Sequence, residues 1–546
     1  MQSKKNHLKK KQSQLYLNPP QYNMPNITQI KPPIFNKFNK TMLQPGNTNV
    51  FFTVLAASFP QFLYTLTNTT LYSFTVLYAD YYQININTLQ LVQHAEILVM
   101  CTMGLFSSKF HDLLTIPNCY ILGSIIVTIF NVSIFFWKNF VYLIMMRLFA
   151  AVGYTLMYTS TAPMMNFLIK PGKLEISMGS GDIFVPFGAL IALMLSTFTV
   201  QYHPLLVFLL AGILGIIHSL FLLFYLPRTE KNHKTQCNFI GIILGSIGMS
   251  LIVINLSFVA VGVGNWIVEI FLLIFGVVFL ILFFIYNYKA QVKNFPNQIF
   301  NRNSIIFMLQ ILLITISYQS INWFTPLLWR LYFNLDILQS GIIQGVTQFI
   351  SCCFCFLYPF ILKKVTNKRV MQTASSLQLI LFIIILIAIQ KFQNIYFIEL
   401  LYIMIELVNV QMILCIQIFN TFTAPKQYAF ITGSIVALNS KFGWSAGTAI
   451  FTSIFRLTSN NLILSSSLSI GISLICLVIL IVLSFFMGTF SWERGRLGFN
   501  EHDVHLTHSY DEFTVLSSEL NEEFNEVTST TDRQSNRVPF QLDNFY

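Results

Sequence analysis

The chain has 546 residues, 55% of them hydrophobic and only 10% charged, with a mean hydropathy of +0.64 and a formal net charge of +11. A soluble domain carries about 25% charged residues, so this composition excludes an ordinary soluble enzyme or nucleic-acid binder and predicts a polytopic membrane protein. The positive charge is then expected in loops that face an anionic leaflet. The eight cysteines lie mostly in apolar stretches, with neither zinc nor secreted-disulfide spacing, and read as small packed residues.

The first 48 residues are polar, hold Lys4, Lys5, Lys9, Lys10 and Lys11, and have no apolar core. They are expected to be a disordered cytoplasmic arm and not a signal peptide. Fourteen stretches of roughly 20 apolar residues follow, at about 50–72, 88–107, 119–137, 140–163, 177–200, 205–226, 238–258, 264–287, 304–329, 341–362, 370–390, 394–418, 428–454 and 462–487. The expected fold is all-α and multi-pass: an N-terminal six-helix bundle over 49–226, a two-helix insert over 238–287 and a C-terminal six-helix bundle over 304–487. The remainder, 488–546, is acidic and Ser/Thr-rich and reads as a disordered cytoplasmic tail.

Charge supports this count. With both termini inside, the inner loops hold Lys109; Lys170 and Lys173; Arg228, Lys231 and Lys234; Lys289, Lys293 and Arg302; Lys363, Lys364, Lys368 and Arg369; and Lys426. The outer loops hold little more than Lys138, Arg330, Lys391 and Arg456, as the positive-inside rule requires.

Five stretches carry a resemblance. The polar hairpin 107–123, with Ser108, Lys109, Phe110, His111 and Asp112, resembles the loop between the second and third helices of the major facilitator superfamily, with Lys109 and Asp112 on its basic and acidic residues. The leading glycine of that pattern is Ser108 here, its second glycine is Thr115, and its basic pair is Ile116 and Pro117. Arg147, alone in an apolar fourth span with Gly153 after it, resembles the superfamily's fourth-helix arginine motif. Gly179, Gly181, Pro186 and Gly188 resemble the fifth-helix motif held to mark antiporters. Residues 320–329 and 438–447 look like the corresponding helices of the fungal fourteen-spanner drug:proton antiporters, in the branch of aminotriazole-resistance, boron-efflux and low-affinity ammonium transporters. The basic loop 363–371 stands where a second copy of the first loop would fall if two six-helix halves flank an insert.

The resemblance implies a cavity lined by the first, fourth, ninth and twelfth spans, and polar stripes at helical spacing appear on them. They are Gln61, Thr65 and Asn68; Arg147; Tyr318, Gln319, Asn322 and Trp323; and Glu399, Tyr402, Glu406 and Asn409. Glu399 and Glu406 lie about 10 Å apart along their helix axis. Carboxylates at such depth are candidates for proton exchange, so Glu406, Glu399, Asp182 and Arg147 are the expected coupling residues. Asp182 and Arg147 sit at different levels and are not expected to pair directly. Glu96 and Lys441 are expected to form an ion pair between the halves, while His218 reads as a packed histidine and Glu269 as interfacial.

The sequence therefore predicts a transporter and no enzyme: no nucleotide-binding motif, catalytic triad or metal-ligand cluster is evident, and no cofactor or metal is expected. Its expected partners are the bilayer, a small-molecule substrate and protons, with no nucleic acid and a monomeric state. Proton-coupled export of drugs or small polar solutes is the first reading. Import or facilitated passage of a small solute such as ammonium is the second, and a non-transporting sensor of the same fold the third. The plasma membrane is the expected location, with the vacuolar membrane as the alternative.

Overall fold

Inside hydrocarbon every backbone N–H and C=O must be satisfied within its own segment or by a closed sheet. A computed structural model describes residues 49–488 apart from 170–176, 178–179, 200–201, 227–237, 263, 291–292, 294, 296–298, 363–364, 393, 424–428 and 459–460. Among the described residues there are fifteen helices and no strand. In chain order they are α1 (Val50–Ser73), α2 (Thr75–Tyr82), α3 (Ile86–Leu114), α4 (Ile116–Ile134), α5 (Phe140–Leu168), α6 (Phe184–Thr199), α7 (Leu206–Tyr225) and α8 (Phe239–Val261). The series continues with α9 (Trp266–Lys289), α10 (Arg302–Leu327), α11 (Ile337–Leu362), α12 (Asn367–Lys391), α13 (Ile395–Thr423), α14 (Ala429–Leu457) and α15 (Leu462–Phe486). A π-helical turn, Leu328–Tyr332, ends α10.

Asparagines start many of these helices. The side chains of Asn49, Asn85, Asn139, Asn238, Asn265, Asn301 and Asn461 each accept a hydrogen bond from a backbone N–H of the first turn. Each cap satisfies one of the four orphan donors of a helix start. Among the described residues twelve helices are long and apolar enough to cross a membrane. The short α6 and the more polar α14, with Asn439, Ser440 and Lys441 in mid-helix, fall on the fifth and thirteenth stretches read from the sequence. The helix α2 was not expected; it carries α1 onward after a break at Phe74.

The helices sort into two groups by packing. In the first, α1 packs on α5, α6 and α7, and α5 packs on α3 and α4. In the second, α10 packs on α13, α14 and α15, while α12 packs on α13 and α15. The groups meet along α3 with α14 and along α6 with α11. The helix α8 lies over the first of these seams, against both α3 and α14: Ser246 Oγ donates to the Thr102 carbonyl at 3.4 Å and Ser453 Oγ to the Val259 carbonyl at 3.0 Å. Its partner α9 buries only Gly276, Phe283 and Asn287 and turns the rest of its apolar surface outward, as a lipid-facing helix does.

The hairpin expected at 107–123 is not a loop. The helix α3 continues through Lys109 and Asp112 to Leu114, Thr115 alone intervenes, and α4 begins at Ile116 with Pro117 in its first turn. Polar residues in a helical terminus that extends past the hydrocarbon carry no penalty, and a single residue at φ 70° turns the chain. For Lys109 and Asp112 the helical backbone alone is described. The basic arm, the acidic tail from residue 489, Gly179, and the loop residues Lys170, Lys173, Arg228, Lys231, Lys234, Lys363, Lys364 and Lys426 lie outside the described residues.

Candidate functional site

Because successive spans alternate in direction, the end at which α1 begins (the near end) also holds the starts of α6, α10 and α14 and the finish of α13. A cavity of about 300 Å³ lies between the two helix groups and runs from Tyr72 and Trp444 in mid-molecule to Ser58, Gly181 and Gln417 at this near end. The small side chains of α6 bring it close to α1. A Cβ on Gly188 would stand 2.6 Å from the Phe62 carbonyl, so only glycine fits that approach.

Of the residues expected to line a cavity, Gln61, Thr65, Asn68, Tyr318, Asn322, Tyr402 and Asn409 do so. Gln319 and Trp323 do not. Gln319 Nε2 donates instead to Tyr72 Oη at 3.2 Å and Thr448 Oγ1 at 2.8 Å, tying α10 to α1 and α14. Trp323 is buried against Phe324 and Phe455, with ring centroids 4.8 and 5.4 Å away. Both fell on the expected stripe because spacing along a helix fixes its face only to within the width of a side chain.

The acids separate in the same way. Glu406 lines the cavity beneath Tyr318, whose hydroxyl is within hydrogen-bonding reach of Glu406 and Tyr402. Asp182 also lines it, from the turn that precedes α6. Its Oδ1 accepts from Gln61 Nε2 at 3.3 Å, and the Gln417 amide, oriented to satisfy both groups, donates to Oδ2 at 2.6 Å across the boundary between the helix groups. Glu399 lies outside the cavity and accepts from Thr347 Oγ1 on α11.

The ion pair expected between Glu96 and Lys441 is absent. Glu96 is 2.5 Å from Arg147 within the first helix group, and Arg147 also donates to Thr67 Oγ1 at 2.8 Å and to Asn68 Oδ1. A guanidinium with several donors in a fixed fork is a better partner for a buried carboxylate than an ammonium from another helix group. Arg147 thus stands behind the cavity wall and holds Asn68, which faces the cavity. Lys441 lines the cavity from α14, with Nζ 3.6 Å from the Tyr64 ring centroid, 5.0 Å from that of Tyr158 and 6.0 Å from that of Trp444. The helices α3 and α14 do pack together, but through His94 Nδ1 and Ser445 Oγ at 3.0 Å.

Tyr64, Tyr72, Tyr158, Gln344, Gln348 and Trp444 line the cavity without having been singled out in the sequence. Aromatics are abundant throughout the chain, 15% of residues, which hides the cavity-facing ones. A polar count on the tenth span would have found Gln344 and Gln348. His218 is packed as expected: it stacks on Phe59 with ring centroids 4.3 Å apart and contacts Ser124 Oγ at 3.1 Å. Pro186 and Gly188 are buried on α6, Gly188 against Phe62 of α1.

Two helical groups surround a central cavity, and comparison with known proteins shows what part of the sequence and the whole arrangement resemble. Residues 57–236 match the family model of the Major Facilitator Superfamily. Among solved structures, a POT family transporter in complex with a thioalcohol-conjugated peptide superposes with a TM-score of 0.61 at 14% identity, over 80% of this chain and 96% of that one. The proton:xylose symporter XylE, bound to 6-bromo-6-deoxy-D-glucose, gives 0.59 at 10% identity, over 81% and 97%. The human organic anion transporter MFSD10 (TETRAN) gives 0.57 at 13% identity, over 79% and 98%. No curated protein sequence matches the chain. The protein is a multi-pass membrane protein with the major facilitator fold.

Proposed function

We propose that this protein is a secondary transporter that carries a small solute by rocking its two helix groups about the central cavity, and that it is a proton-coupled exporter of drug-like or small polar solutes of the fourteen-spanner antiporter type. The observation that supports this most is that two carboxylates, Asp182 of the first group and Glu406 of the second, line one cavity. A carboxylate in such a cavity can exchange a proton when the cavity changes sides, and in antiport the solute and the proton compete for it. Glu406 is the primary coupling residue in this reading, Asp182 its counterpart and Glu399 a reserve acid on the same face of α13. Arg147 acts through Asn68. The Lys109 and Asp112 region acts at the inner gate.

The three similar structures named above belong to proteins described as a symporter, an organic anion transporter and a peptide-bound transporter. One fold serves several directions and solutes, so support for export comes from Pro186 and Gly188 alone. With the positive charges inward, the near end and both termini face the cytoplasm of a plasma membrane, and one chain suffices for transport.

The test is flux in sealed vesicles of purified protein. A pH gradient is imposed, internal pH is followed as candidate solutes are added, and Glu406→Gln is measured in parallel. Proton release that needs both solute and Glu406 is the expected result. Equal solute movement with and without the gradient replaces antiport by facilitation, and binding without movement of any solute overturns transport.

A further inference from the structure

Lys441 of α14 and one face of α13 line the same cavity and carry complementary hydrogen-bonding capacity. The Lys441 ammonium has three N–H donors, yet it has no hydrogen-bond acceptor and no carboxylate within 4 Å; its contacts are the ring faces of Tyr64, Tyr158 and Trp444. Ring faces attract a cation, but that attraction does not replace the hydrogen bonds an ammonium makes in water. On α13, three residues apart and therefore on one face, Glu406 Oε2 and Asn409 Oδ1 are buried acceptors with no donor. Glu406 is 5% exposed and Asn409 2%. All three residues line the same cavity.

On α14 the cavity thus offers a cation with no hydrogen-bonded partner, and on α13 it offers acceptors with no donor. A solute that is only a cation would satisfy Glu406 and Asn409 but add a second positive charge near Lys441. A solute that is only an anion would satisfy Lys441 and leave two buried acceptors orphaned beside a negative charge. Each orphan costs free energy, and a site built around polar partners discriminates strongly against ligands that leave them unpaired. A solute bearing both groups meets every demand and brings no net charge into a cavity of low dielectric.

Resting on the transport reading above, we propose that the cavity selects a small zwitterion with a protonated amine and a carboxylate. Its carboxylate is received by Lys441, its ammonium by Glu406 and Asn409, and its body lies against Tyr72, Tyr318 and Trp444. About 300 Å³ is at the lower end of ligand cavities, which limits the solute to a compact body. Competition between the ammonium and a proton for Glu406 then supplies the coupling.

Two matched sets of three solutes test this with the full-length protein in nanodiscs by titration calorimetry. The first is phenylalanine with phenethylamine and 3-phenylpropanoate; the second is valine with isobutylamine and 3-methylbutanoate. In at least one set the zwitterion is expected to bind at least tenfold more tightly than either single-charge solute. Lys441→Gln should erase its advantage over the amine, and Glu406→Gln its advantage over the acid. Lys441→Arg and Glu406→Asp, with thermal unfolding of every variant, show that a loss is not misfolding, because the conservative variants should keep the preference.

An amine that binds as tightly as its zwitterion and ignores Lys441→Gln makes this a cation site and overturns the proposal. An acid that binds as tightly and ignores Glu406→Gln makes it an anion site and does the same. So does binding of none of the six solutes. Vesicle flux separates the two readings: zwitterion binding without flux sinks transport and keeps the site, whereas flux of other solutes with no zwitterion preference does the reverse.

Discussion

Glu96 and Arg147 are 2.5 Å apart in the interior of the first helix group, with side chains 1% and 0% exposed. Taking one charge away leaves the other buried without a partner, at a cost of roughly 3–5 kcal/mol, whereas replacing both with apolar residues of similar volume is often tolerated. Glu96→Leu and Arg147→Met should each lower the thermal midpoint of the detergent-solubilised protein sharply, and the double variant should regain most of it. A double-mutant cycle should return a coupling above about 2 kcal/mol for Glu96 with Arg147, and a smaller one for Glu96 with Lys441. The reverse ranking would restore the pairing that the sequence suggested.

At the end of the molecule away from the start of α1, Gly341 of α11 lies against α6 so closely that a Cβ there would stand 2.1 Å from Thr197 Oγ1. A larger residue fits only if Thr197 turns its hydroxyl away or the helices part, and a branched side chain demands the second. Gly341→Val should therefore open this end: a cysteine placed at Leu193, which lines the cavity and is 1% exposed, should react with maleimide at least fivefold faster in the Gly341→Val background than in the parent. Equal rates in the two backgrounds would show that this contact does not hold the end closed.

Asp182 gathers amide donors from both helix groups, Gln61 from its own and Gln417 from the other. A hydrogen bond to a charged group contributes about 1.5–3 kcal/mol, enough to change the ratio of closed to open near ends by tenfold or more. Gln417→Leu should shift the distance distribution between spin labels on the near ends of α6 and α13 toward longer separations. Gln61→Leu, which breaks a bond inside one group, should leave it in place. If both variants gave the parent distribution, the bridge would have no part in closure.

Much of this arrangement was legible in the sequence because the bilayer imposes simple rules. The apolar stretches located the helices and their order, and polar residues at helical spacing located most of the cavity wall from α1, α10 and α13. Glu406 was found because a carboxylate in an apolar helix has few bland uses. Pairing was not legible. Helix depth suggested Glu96 with Lys441, but depth does not say which way a side chain swings, and Arg147 reaches Glu96 first. The rings around Lys441 were equally hidden, since a cation on an aromatic face leaves no spacing rule in the chain.

Thr115 is the single residue between α3 and α4, and it holds φ 70° and ψ 153°. That region is populated almost only by glycine, and a β-branched residue held there stores on the order of 1–3 kcal/mol of strain. The hydroxyl gives nothing back, because Thr115 Oγ1 has no hydrogen-bond partner. Thr115→Gly should relieve the strain and, after the added chain entropy of glycine is subtracted, stabilise the protein by about 1 kcal/mol. Thr115→Val, equally branched, should change little, and Thr115→Pro, whose ring forbids positive φ, should block folding of this corner. Thermal unfolding of the three variants in one detergent decides the matter. A Thr115→Gly midpoint at or below that of the parent would mean that the corner is not strained in the folded protein.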